Sequence, residues 1–158
     1  MINWIEYLDI DNKYIDENAQ RNILKFIFLW LKINEYCNKK YGSDKSDTKK
    51  INKLSDENIL KEKYATLKDD FLEKFASQEK NGIQRTFVID MRYPNIESEY
   101  KYFTQEHDNL HDFLKIIYQI RCNLFHGEKE PSDENIELVL WAYDCLNELC
   151  EGIIWKIY

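Results

Sequence analysis

Glycine and proline are scarce in this chain, four and two among 158 residues. So few breakers leave little material for tight turns, and an all-helical fold is favoured. The four cysteines, Cys37, Cys122, Cys145 and Cys150, form no Cys-x-x-Cys pair and have no matching histidine spacing. A structural zinc site is therefore not expected, nor is any other metal or cofactor, and reduced thiols in a cytoplasmic protein are the simple expectation. The chain opens Met-Ile-Asn-Trp-Ile-Glu, without the basic start of a cleavable signal. Its longest apolar stretch, Ile23 to Ile33, is interrupted by Lys25 and Lys32. That is too short for a bilayer and reads as a buried helix, so no membrane partner is expected. An excess of positive charge is also missing. The net charge of −7 weakens any general affinity for nucleic-acid backbone and leaves only a local basic site open.

What the chain does have is aromatic and helical patterning. Phe, Trp and Tyr make up 15% of the residues, enough to supply large buried areas and interfaces. The length suits a single domain over residues 1–158, and the predicted fold class is an all-α, up-and-down bundle of four to five helices. Three capping signals recur: Asp16-Glu17-Asn18, Ser55-Asp56-Glu57-Asn58 and Ser132-Asp133-Glu134-Asn135. They predict helices over about 17–40, 56–78 and 133–157. A further helix over about 106–125 follows from its apolar spacing, and a short one around Trp4 to Leu8 is possible by pattern. Gly42 and Gly82 are expected to close the first two. Residues 42–54, polar and lysine-rich, read as a mobile loop. Residues 83–106, broken by Pro94, read as an irregular segment whose aromatics Tyr93, Tyr100, Tyr102 and Phe103 hold it against the bundle.

The chemistry concentrates at Arg121-Cys122-Asn123-Leu124-Phe125-His126-Gly127. At about 100° per residue from Leu110, Arg121 falls within an apolar arc that includes Phe113, Leu114, Ile117, Ile120 and Leu124. A guanidinium cannot discharge at cellular pH, so a carboxylate, carbonyl groups, a subunit or a phosphate must meet it. His126 lies about 140° further round an ideal helix, but Gly127 signals a helix end that turns the imidazole back toward Arg121. Histidine moves protons near neutral pH, and the arginine fork matches phosphate oxygens. Asn123 is placed to orient either. The bland readings stand beside these: an ion pair from another helix for Arg121, and a C-cap for His126. His107 and His111, one turn apart, lack a third ligand and read as a solvated face. Lys39, Lys40, Lys45, Lys49 and Lys50 read as a solvated loop with a weaker claim to touch RNA.

Arg121-x4-His126, with an apolar helix before it and a glycine after it, resembles the signature of the HEPN superfamily. Phe26-x3-Trp30-x3-Asn34-x-Tyr36 is similar, more loosely, to the aromatic first helix of some of its branches. The resemblance implies a metal-independent endoribonuclease, a toxin or phage-defence effector that acts as a homodimer with two motifs facing one cleft. It implies that Arg121, His126 and Asn123 serve the reaction, that the RNA product ends in a 2′,3′-cyclic phosphate, and that an antitoxin protein is a possible partner. Two departures matter. Glu128 stands where one toxin branch carries a tyrosine that accepts a nucleotide, so that mode of silencing is not expected. Cys122 stands where many members place the polar residue, which here comes one later, at Asn123. The alternative function is a non-catalytic bundle of the same shape that binds nucleotide, RNA or a protein.

Overall fold

The computed structural model describes residues 17–79, 82–126 and 133–155, with the side chains at 125, 126 and 133–135 outside the description. The expected helix near Trp4 and the caps at Asp16 and Ser132 lie outside the described residues. The architecture is an all-α bundle with one small hairpin. Helix α1 spans Glu17–Tyr41, α2 Asp47–Ser55, α3 Asn58–Ala76, α4 Leu110–His126 and α5 Asp133–Cys150. Strands β1, Phe87–Val88, and β2, Lys101–Tyr102, pair antiparallel, with Phe87 opposite Tyr102.

Helix α1 ends where expected. Gly42 takes a φ of +100°, a region that side chains with a Cβ disfavour, and its N–H caps the carbonyl of Asn38 at 3.1 Å. A Cβ there would also lie 2.7 Å from Asp44 Oδ1.

The lysine-rich stretch after Gly42 is not the loop that its composition predicts. Its second part is α2, started by Ser46, whose hydroxyl accepts from the Lys49 N–H. Ile51, Leu54 and Lys50 are buried on one face of α2. Two apolar residues at helical spacing suffice here because the Lys50 stem adds apolar cover while its ammonium donates to Asn34 Oδ1 on α1 at 3.0 Å.

Ser55 does not cap the next helix. It closes α2, its hydroxyl donating to the Asn52 carbonyl, and α3 begins at Asn58 after Glu57. Helix α4 starts at Leu110 rather than near Glu106, because Asn109 Oδ1 accepts the Asp112 N–H at 2.9 Å. Helix α5 stops at Cys150, short of Ile157, as Gly152 turns the chain with a φ of +79°.

The core is a cluster of rings. Phe71, Phe75, Phe103 and Phe113 are fully buried, with Trp141 and Tyr64 beside them. Ring centroids lie 5.2 Å apart for Phe71–Phe113 and 4.8 Å for Phe75–Trp141, within the range of favourable aromatic pairs. Trp141 Nε1 donates to the Phe71 carbonyl at 3.1 Å, so its one polar atom is satisfied inside the core. Helix α5 carries Trp141 and packs on α1, α3 and α4. The hairpin segment joins this core through Phe103, whose ring meets Phe75 edge-on at 5.3 Å. Tyr93, expected to hold the segment down, is instead exposed.

Candidate functional site

Arg121 leaves α4 toward α1 and α2. Its guanidinium carbon lies 6.0 Å from the Trp30 ring centre and 5.9 Å from that of Tyr118. The two rings lie 5.9 Å apart, so together they form an aromatic bed for the cation. Nη1 is 3.8 Å from Asp47 Oδ2, longer than the about 2.8 Å of a charge-assisted hydrogen bond. The same nitrogen is 4.0 Å from Cys122 Sγ. The side chain keeps 27% of its exposure. This arrangement resolves how an arginine sits within an apolar arc. Two aromatic rings lie about 6 Å from it, an acid on α2 supplies opposite charge, and part of the side chain reaches solvent. Burial pushes the Tyr118 hydroxyl up to about 12, aided by its hydrogen bond to Cys122, so it stays neutral under the cation at working pH.

His126 is the last residue of α4, so helix continues from Arg121 to it. Its imidazole, like Gly127, falls outside the described side chains. Asn123 points away from Arg121. Its Nδ2 donates to the Ile89 carbonyl at 2.8 Å, and its Oδ1 accepts from the Met91 N–H at 3.2 Å and from Gln119 Nε2 at 3.0 Å. The amide thus pins residues 89–91 to α4. Residues two apart on a helix diverge by about 200°, so Arg121 and Asn123 serve opposite sides of α4.

The lysines meet local partners. Lys39 pairs with Glu35 at 2.7 Å, Lys40 with Glu57 at 2.9 Å and Lys45 with Asp44 at 3.5 Å. Lys50 is buried on Asn34, and Lys49 is exposed on α2. His107 meets Thr104 Oγ1 through Nδ1 at 3.2 Å, and His111 meets Asn52 Oδ1 through Nε2 at 2.9 Å. Among the described residues, no group of three or more His, Cys, Asp or Glu is arranged to hold a metal ion. Among them, too, no helix is long and apolar enough to cross a membrane.

Two features had no clear signal in the sequence. Glu57, between α2 and α3, accepts hydrogen bonds from Tyr36 at 2.9 Å and from Tyr41, and pairs with Lys40. Burial alone would raise its carboxyl, but the bonds from Tyr41, Lys40 and Tyr36 prevail and hold it below the ordinary 4.5. The second feature is a cleft of about 1040 Å³ bordered by α2, α3, α4 and the hairpin. Its charges are largely self-paired: Lys68 with Asp108 at 3.3 Å, Arg92 with Asp90 at 2.8 Å and Lys101 with Glu99 at 3.9 Å. Lys115 also lines it.

Against known proteins, the chain matches no family model, no curated protein and no solved structure.

Proposed function

We propose that this chain is a metal-independent endoribonuclease of the HEPN type, a toxin or phage-defence effector, with Arg121 and His126 at its centre. One observation carries the reading: a partly buried guanidinium about 6 Å from the Trp30 and Tyr118 ring centres, five positions before a histidine that ends the same helix. An arginine fork matches the oxygens of a phosphate. Asp47 at 3.8 Å is far enough to yield to an incoming phosphate.

In this reading the ribose 2′-hydroxyl attacks the adjacent phosphorus and the bond to the 5′-oxygen breaks. His126 takes the hydroxyl proton or supplies one to the leaving oxygen. Arg121 stabilises the charge that builds on the phosphorane. One imidazole does not serve both ends in a single turnover, so a second copy of the chain supplies the other. Asn123, engaged by backbone, acts as a positioning residue that holds residues 89–91.

A second reading rests on the Asp47 contact itself: Arg121 ties α4 to α2, and the bundle binds nucleotide, RNA or a protein partner without cutting. Incubation with a mixed RNA pool in EDTA separates the two. The nuclease reading expects cleavage by wild type, and loss of cleavage in Arg121→Ala and His126→Ala at unchanged fold. Cleavage that survives both substitutions contradicts it.

A further inference from the structure

One line along α1 is unlike the rest of the surface. Leu24, Phe28 and Leu31 stay 39%, 62% and 52% exposed, spaced four and three apart on the side away from buried Phe26 and Ile33. The same line continues through Arg21 and Glu17 in one direction and through Glu35 and Lys39 in the other. From end to end it reads acid, base, Leu, Phe, Leu, acid, base.

That order is self-complementary in one orientation only. A second α1 laid antiparallel, with Phe28 on Phe28, sets Arg21 against the second copy's residue 35, an acid. It sets Glu17 against the second copy's residue 39, a base. Leu24 then falls beside the second copy's residue 31. Parallel packing would set like charges together. The four charged side chains are 63% to 82% exposed and now pair within their own helix, Arg21 with Glu17 at 3.7 Å and Lys39 with Glu35 at 2.7 Å. They are free to exchange those exposed contacts for pairs across a seam.

We propose that a second copy of this chain docks on α1 in this antiparallel register, centred on Phe28. Trp30, which carries the Arg121 guanidinium, is two residues from Phe28 and so lies about 200° round α1, buried on the side away from the seam. The docking therefore leaves both Arg121 sites away from the seam, and it does not rest on the nuclease reading.

The test needs no RNA. Sedimentation equilibrium of the full chain is expected to give a dimer, and Phe28→Glu a monomer that keeps its helical circular dichroism and whose melting temperature no longer rises with concentration. Arg21→Glu alone and Glu35→Arg alone each set two like-charge contacts across the seam and weaken the dimer about tenfold, and the double variant restores it. The four native thiols are buried, so Phe28→Cys adds one accessible thiol, and oxidation is expected to link the chain to its own copy. A wild-type chain that stays monomeric throughout the sedimentation series, or a dimer indifferent to Phe28→Glu, or a double variant weaker than either single, overturns the proposal. A dimer that behaves as expected but leaves RNA intact removes the nuclease reading alone.

Discussion

Replacing Glu57 with glutamine removes one charge from a junction that joins three helices and keeps its shape. The carboxylate is 9% exposed, receives the Tyr36 hydroxyl at 2.9 Å and the Lys40 ammonium at 2.9 Å, and also receives Tyr41. A hydrogen bond to a charged group contributes about 1.5–3 kcal/mol, but Lys40 is half-exposed and water replaces part of its share. A net loss of about 2–3 kcal/mol follows for Glu57→Gln, or about 4–12 °C in melting temperature for a domain of this size. The pH dependence carries a definite sign. Because the folded carboxyl lies below its ordinary 4.5, its stabilisation is complete above that value and fades as pH falls through the folded value. The gap between wild type and Glu57→Gln, read by urea unfolding, should be constant at neutral pH and should shrink on acidification below about pH 4.5. Equal stability at pH 7, or a gap that widens in acid, would refute the assignment of this carboxylate as the anchor of the junction.

Asn123→Ala removes three hydrogen bonds to residues 89, 91 and 119, so stability should fall by about 2–3 kcal/mol and amide exchange should rise first at Ile89 and Met91. RNA cleavage per folded molecule should survive that change, whereas a direct catalytic role would abolish it at unchanged fold. Phe113→Ala opens the centre of the ring cluster and should cost about 3–5 kcal/mol by denaturant unfolding; a loss under 1 kcal/mol would mean that the cluster does not organise the core.

The sequence was legible where burial and local signals agree. Helix α1 carries a continuous apolar face and a glycine at its end, and both its extent and its stop follow from those residues. The α3 and α4 cores follow likewise from Phe71, Phe75, Phe113 and Ile117 at helical spacing. Helix α2 was hidden because only Ile51 and Leu54 declare its inner face. Lys50, also buried, shows its apolar stem only when Asn34 on α1 takes its ammonium. Ser55 illustrates the ambiguity of a capping residue: the same hydroxyl that can start a helix instead closes the one before it. At the candidate site, Arg121 was legible as a charge that needs partners, since an arginine within an apolar arc is costly whatever surrounds it. Its particular partners, Trp30 and Asp47, lie 91 and 74 positions away in sequence, and no local pattern points to them. The hydrogen bonds of Asn123 were not legible for the same reason, because its three partners include backbone groups of a hairpin segment whose path depends on tertiary packing.

The central claim is that Arg121 and His126 cut RNA through attack by the neighbouring 2′-hydroxyl, and the chemistry of the new 3′ end tests it most directly. RNA cleaved by the purified wild-type chain in EDTA should end in a 2′,3′-cyclic phosphate, with the ends absent in Arg121→Ala and His126→Ala. New ends carrying a 3′-hydroxyl, or the same cyclic ends from either variant, would contradict it.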